Sequence, residues 1–160
     1  MNRHGKSGSI VFFVTLAAAA LYLCVRLFSV DDKSRVRKVV YSGVVGFERE
    51  DIFRCASIIS DNYSDQYGNS KAGFIGIIKD LFSDYSDLRV EIKQLQINVE
   101  KDNSGADVGF VCYFKKTGEK QIYYDKGKLR IVLKKEDGRW KICSVDYSGS
   151  KDILFIQSVA

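Results

Sequence analysis

The chain of 160 residues is long enough for one globular domain and one further short element. Hydrophobic residues make up 46% and charged residues 28%, which excludes an intrinsically disordered protein and a polytopic membrane protein. The single histidine, His4, lies in the N-terminal tail. Ser-His-Asp triads, Cys-His pairs and histidine-ligated zinc are therefore excluded from the rest of the chain.

The net charge of +5 is divided unevenly along the chain. Three of the 25 basic residues (Arg3, Lys6 and Arg26) and no acidic residue lie in residues 1–30, which leaves 22 basic against 20 acidic residues, or +2, in residues 31–160. The basic residues there are interleaved with acidic ones and do not form one basic stripe. Nucleic acid is therefore not a predicted partner.

An apolar run follows the short basic tail of residues 1–8. Residues 10–25 have the sequence IVFFVTLAAAALYLCV, and residues 9–30 reach the roughly 20 residues that a membrane-spanning helix needs if Arg26 extends to the interface. The basic tail before the run resembles the start of a signal sequence. We interpret residues 9–30 as an uncleaved transmembrane anchor, because the run is apolar all round and cleavage after the small residues 17–20 would leave a very short apolar core. A cleaved signal sequence and a buried core helix are the alternatives.

The orientation of the anchor stays open. The signal-like tail predicts a single-pass protein whose domain, residues 31–160, lies outside the cytoplasm, in the periplasm. Basic residues are more frequent after the span than before it, and the positive-inside rule therefore predicts a cytoplasmic domain. The basic cluster after the span either touches anionic lipid headgroups or is a solvated helix face: Lys33, Arg35, Arg37 and Lys38.

The sequence predicts no metal site and no cofactor. Cys24 lies in the predicted anchor, and Cys55, Cys112 and Cys143 lack CxxC spacing, so we interpret the latter three as free, buried thiols. Residues 61–70, DNYSDQYGNS, faintly resemble a calcium-binding loop but lack its glycine and glutamate at the required spacing. We interpret them as a structural turn.

Apolar residues at helical spacing predict three helices, at residues 33–48, 50–60 and 71–85. Asn69 or Ser70 is expected to cap the third. After Asp87 the apolar period changes to two, and four strands follow. In the first strand the apolar phase slips at Lys93 and Gln94, which predicts a β-bulge.

Asp137 and Gly138 predict a two-residue hairpin turn between the last two strands. A regular hairpin around this turn places Leu133 opposite Ile142, Ile131 opposite Ser144 and Leu129 opposite Asp146. Ser144 and Asp146 would then lie on the apolar face that meets the helices. The order of elements predicts an α+β fold, with three N-terminal helices packed on one face of an antiparallel sheet.

This order of elements, the bulged first strand and the hairpin KKEDGRWKICSVDY (residues 134–147) resemble the nuclear transport factor 2-like (SnoaL-like) superfamily. The segment SDNYSDQYGNS (residues 60–70) is similar to a loop of bacterial members of unknown function. The resemblance covers residues 33–149. It implies that the three helices pack on a curved antiparallel sheet, which wraps round them to form a cystatin-like cone with an apolar pocket. It also implies pairing of two copies through the outer sheet face and polar side chains inside the cone.

The residues expected in the pocket are Tyr63, Tyr67, Tyr85, Trp140, Ser144 and Asp146. Within an apolar cone Asp146 could act as a general base, with a tyrosine donating a hydrogen bond to a developing oxyanion. The alternative is structural: Asp146 caps a helix or pairs with an arginine.

The expected function is that of a membrane-anchored, non-catalytic binding or self-association module at the cell envelope. The expected partners are a small apolar ligand or an envelope protein, and a second copy of the chain. The alternative is a small isomerase- or hydratase-type enzyme that uses Asp146 and a pocket tyrosine.

Overall fold

The computed structural model describes residues 17, 18 and 31–147 of the chain. Within them, three helices precede one four-stranded antiparallel sheet with the strand order β1-β2-β3-β4. The helices are α1 (31–48), α2 (Ile52–Ile58) and α3 (Lys71–Asp84). The strands are β1 (Tyr85–Glu100), β2 (Asn103–Lys116), β3 (Tyr123–Glu136) and β4 (Arg139–Tyr147). The predicted α+β architecture, with three helices on a curved antiparallel sheet, is confirmed.

The predicted anchor at residues 9–30 lies, apart from Ala17 and Ala18, outside the described residues. In the described part of the chain, no helix combines the length and the apolar character that crossing a membrane requires.

Side-chain caps fix where α2 and α3 begin. Asp51 accepts a hydrogen bond from the backbone N–H of Arg54 at 2.9 Å. Ser70 accepts one from the N–H of Gly73 at 3.4 Å, which confirms one of the two predicted caps. Each cap satisfies a backbone donor that the first turn of a helix leaves without a partner.

The bulge predicted in β1 is confirmed. Ile92 lies opposite Phe110 and Gln94 lies opposite Gly109, so Lys93 is the extra residue. The predicted hairpin turn is also confirmed, because Asp137 (φ 49°) and Gly138 (φ 76°) both have the left-handed conformation of a tight two-residue turn.

The predicted pairing of this hairpin is correct for Leu133 and Ile142 but wrong beyond them. Cys143 is an extra residue in β4, so Val132, and not Ile131, lies opposite Ser144. A one-residue slip exchanges the two faces of a strand. Ser144 and Asp146 therefore belong to the outer sheet face, where Asp146 lies opposite Arg130, and the inner positions are taken by Val145 and Tyr147.

Hydrogen bonds made at the edge of β4 explain this bulge. The N–H of Ser60 donates to the Ile142 carbonyl at 2.8 Å, and the N–H of Ser64 donates to the Cys143 carbonyl at 2.9 Å. In a regular strand, successive carbonyls point to opposite edges. The bulge turns two successive carbonyls toward the same edge, where the segment between α2 and α3 covers them.

The core consists of two clusters between the helices and the inner sheet face. The main cluster contains the buried side chains Val36, Val40, Leu133 and Trp140. The second cluster contains Leu88, Cys112 and Phe114 at the end of the sheet that holds the start of β1.

Candidate functional site

A cavity of about 270 Å³ lies between the helices and the inner face of the sheet. Its lining includes members of both core clusters, so the cavity marks the place where the two clusters do not meet. The lining side chains from the helical half are all apolar apart from one thiol. They are Val40, Gly43, Val44, Phe47, Cys55, Ile58, Ile59, Phe74 and Ile78.

All four strands contribute to the opposite wall through inward-facing residues. They are Val90, Ile92, Val108, Phe110, Cys112, Leu129, Ile131, Ile142, Val145 and Tyr147. The bulge at Cys143 adds Val145 and Tyr147 to the wall beside Ile142, because it turns both side chains inward.

The polar side chains of the lining are two thiols and one phenol: Cys55, Cys112 and Tyr147. Burial raises the pKa of the Cys112 thiol to about 11, and the nearby carboxylates of Asp125 and Glu48 add to this effect. Burial, together with the charge of Asp51, also raises the pKa of Cys55. Both thiols are therefore protonated near neutral pH, and neither adds charge to the cavity.

Two carboxylates lie beside the Cys112 side of the cavity without lining it. Asp125 is half-buried on the inner face of β3, directly opposite Cys112. Glu48, near the end of α1, accepts a hydrogen bond from the Val90 N–H at 2.8 Å. Because β1 is an edge strand, this bond ties α1 to the sheet edge.

None of the six residues predicted for the pocket is part of the cavity lining. Ser144 donates a hydrogen bond to Asp146 at 3.3 Å, and both side chains are half-buried on the outer sheet face. The prediction that they lie inside the cone is wrong, because it assumed a regular hairpin without the bulge at Cys143.

The four aromatic residues predicted for the pocket are dispersed. Tyr63 is buried, stacks on Phe74 at 4.8 Å between ring centroids and donates to Asp65 at 3.3 Å. Burial, strengthened by the Asp65 charge, raises the pKa of Tyr63. Tyr67 is 58% exposed. Tyr85 is partly buried and packs edge-on against Phe114 of the second core cluster. Trp140 is buried in the main cluster and donates a hydrogen bond to Asp32 at 3.2 Å.

The segment considered as a calcium loop is organised by Asp65. Its carboxylate accepts hydrogen bonds from the backbone N–H groups of Tyr67 and Asn69 and from the Asn69 side chain, at 2.9 to 3.0 Å. These bonds make an Asx-type turn of the segment. Across the described ranges, no group of three or more His, Cys, Asp or Glu side chains could hold a metal ion.

Sequence reasoning missed every residue of the lining, including its three polar members: Cys55, Cys112 and Tyr147. The signal for the two thiols was present, because Cys55 lies on the apolar side of its helix and Cys112 alternates in phase with Val108 and Phe110. Tyr147 was missed through the same hairpin error that misplaced Asp146.

No family model matches the sequence, and no curated protein matches it. Solved structures match closely in shape. A nuclear transport factor 2-like superfamily protein from Salmonella enterica has a TM-score of 0.68 at 13% identity, over 78% of this chain and 95% of that one.

Two further similar structures are of enzymes or enzyme-like proteins. A hexachlorocyclohexane dehydrochlorinase from Novosphingobium barchaimii has a TM-score of 0.66 at 14% identity, over 80% of this chain and 96% of that one. A scytalone dehydratase-like protein from Novosphingobium aromaticivorans has a TM-score of 0.69 at 9% identity, over 76% and 86%. At this level of identity the likeness shows the fold alone. The chain has the nuclear transport factor 2-like fold.

Proposed function

We propose that this protein binds a small, neutral, apolar molecule inside the cone. The observation that carries the proposal is the cavity of about 270 Å³, whose lining is aliphatic and aromatic apart from two protonated thiols and one phenol. Burying apolar surface of a ligand there contributes about 25 cal/mol per Å². A charged ligand would have to leave water without a charged partner in the lining, which is unfavourable.

The volume limits the size of the ligand. Apolar cavities of about 150 Å³ stay dry and bind benzene. A cavity of about 270 Å³ therefore fits a bicyclic hydrocarbon or a short, branched aliphatic molecule. Naphthalene is a suitable probe because it is neutral, rigid and fluorescent.

The test is a titration of the full chain with naphthalene and, separately, with 2-naphthoate, which has the same rings and one carboxylate. We expect saturable binding of naphthalene, and affinity for 2-naphthoate at least tenfold lower, because its carboxylate would be buried without a partner. Absence of saturable naphthalene binding, or equal affinity for both probes, would contradict the proposal.

The proposal includes a location at the cell envelope, with residues 9–30 as a membrane anchor and the domain outside the cytoplasm. The apolar run and the basic tail before it support this location. A reporter that is active only outside the cytoplasm, fused to Ala160, tests it beside a complementary cytoplasmic reporter. Activity of the cytoplasmic reporter alone would contradict the location and leave the ligand-binding proposal intact.

A second candidate function is a small enzyme that removes a proton from an apolar substrate. Asp125 favours it, because its carboxylate lies on the inner sheet face opposite Cys112, a lining residue. Asp125 replaces Asp146, which lies on the outer face, as the candidate general base. The similarity to a dehydrochlorinase and a dehydratase-like protein agrees with such chemistry but concerns only the fold.

Proton abstraction can be tested with 2-tetralone, a bicyclic ketone with acidic hydrogens beside the carbonyl. In deuterium oxide, an enzyme of this class should exchange these hydrogens for deuterium faster than buffer alone does. Asp125→Asn should abolish this acceleration. Nuclear magnetic resonance measures the exchange rate. A rate equal to that of buffer for the unaltered protein would exclude this activity on 2-tetralone and favour the binding function.

A further inference from the structure

The last described residue of β4 is itself part of the cavity wall. Tyr147 lines the cavity, and the next residues of the sequence are Ser148, Gly149 and Ser150. Small and glycine-containing segments of this kind permit tight changes of chain direction. After Lys151 and Asp152 the sequence continues with the apolar run ILFI, residues 153–156.

We propose that residues 153–156 bind in the cavity as an intramolecular ligand and compete with the small molecule. This inference rests on the proposed function and adds a mode of regulation to it. A free ligand must displace the run before it occupies the cone.

The length of the linker permits this docking. Residues 148–152 join the cavity wall to the run, and position 155 is eight residues from Tyr147. At about 3.3 Å per residue an extended chain spans roughly 26 Å over these eight residues. This length is more than the chain needs to reverse its direction and reach the cavity. A linker this short gives the tethered segment an effective concentration in the millimolar range.

The chemistry of the run matches that of the cavity. The side chains of the run contain no polar atom: Ile153, Leu154, Phe155 and Ile156. The cavity lining is likewise apolar, apart from two thiols and one phenol. Since about 150 Å³ holds one benzene ring, a cavity of about 270 Å³ holds the ring of Phe155 and one aliphatic neighbour. A second copy of the chain would have to bring its run from outside, without the advantage of the tether.

The proximity test uses the thiols that the chain already has. Cys55 and Cys112 line the cavity, whereas Cys143 lies off the lining and is more exposed than either. A Phe155→Cys variant of the full chain is oxidised mildly at low protein concentration with copper phenanthroline and air. Peptide mapping by mass spectrometry then identifies the partner of the new thiol.

We expect the new thiol to be linked mainly to Cys55 or Cys112 within one chain. The matched control carries Leu154→Asp and Ile156→Asp beside Phe155→Cys, so that the tether is unchanged and the run is charged. Its yield of cavity disulfides should fall at least fivefold. Linkage mainly to Cys143, linkage between chains, or no linkage of the new thiol would overturn the proposal, as would equal yields for the two variants.

Naphthalene separates this inference from the function on which it rests. With the intact Phe155, the pair Leu154→Asp and Ile156→Asp should raise naphthalene affinity at least fivefold by removing the competitor. Naphthalene binding with unchanged affinity would overturn the intramolecular ligand and leave the binding function standing. Disulfides to the cavity thiols in a protein that binds no naphthalene would support the docking and contradict the binding function.

Discussion

Leu133 is the largest side chain that is fully buried in the described part of the chain, with 0% exposure. Leu133→Ala should lower the free energy of unfolding by about 3 kcal/mol, because it removes buried methyl groups and leaves a void. Urea denaturation followed by the fluorescence of Trp140, the single tryptophan, measures the loss. Ile122→Ala, at a residue 64% exposed, is the control and should change stability by less than about 0.5 kcal/mol. Equal losses would contradict the assigned core.

Asp32 joins the start of α1 to the last hairpin. It accepts hydrogen bonds from Lys135 at 3.0 and 3.1 Å and from Trp140 at 3.2 Å. Burial raises the pKa of Asp32, but these bonds and the charges of Lys135 and Arg35 outweigh burial, so its pKa lies below the ordinary value. A lowered pKa stabilises the fold above the ordinary aspartate pKa of about 3.9, and this stabilisation is lost as the pH falls through the folded-state pKa.

Asp32→Asn should therefore lower the free energy of unfolding near pH 7 by about 2 kcal/mol, since bonds to a charged acceptor are replaced by bonds to a neutral one. The difference between the two proteins should shrink as the pH is lowered below 3.9. Urea denaturation at a series of pH values measures it. A difference that stays constant across the series would show that the Asp32 charge contributes nothing.

At the scale of elements, the two bulges show what the sequence could and could not predict. The bulge at Lys93 was predicted because the apolar phase slips there. The same slip is present in β4, where Trp140 and Ile142 are followed by Val145 and Tyr147. We overlooked this second slip because we assumed a regular hairpin, and that assumption led to the wrong prediction that Asp146 lies inside the cone. The physical cause, the pairing of residues 59–64 with the β4 edge, is a long-range contact that the local pattern does not contain.

The turn between β3 and β4 depends on the backbone freedom of Gly138, whose φ is 76°. Gly138→Val should lower the free energy of unfolding by about 1 to 2 kcal/mol, because a β-branched residue is strained in the left-handed region. Thermal or urea denaturation measures the effect. Gly105→Ala is the control, since Gly105 lies within β2, has no positive φ and leaves open space for a methyl group. A larger loss for Gly105→Ala than for Gly138→Val would contradict the turn geometry.

At the scale of the whole molecule, the fold class could be predicted because helical and alternating apolar periods are separate along the chain. The position and extent of the cavity could not be predicted, because a void depends on the distance between packed layers and not on any local pattern. Phe110 and Val108 alternate on one strand like ordinary core residues, yet both face the space that the two core clusters leave open.

The most direct test of the central claim fills the cavity from the sheet side. Val145 lines the cavity, whereas Val132, on the neighbouring strand, is half-buried outside the lining. Val145→Phe should weaken naphthalene binding at least tenfold by occupying part of the 270 Å³, and Val132→Phe should leave the affinity within twofold of the unaltered protein. Urea denaturation confirms that both variants are folded. Unchanged naphthalene affinity in folded Val145→Phe, or equal losses in the two variants, would contradict a ligand site inside the cone.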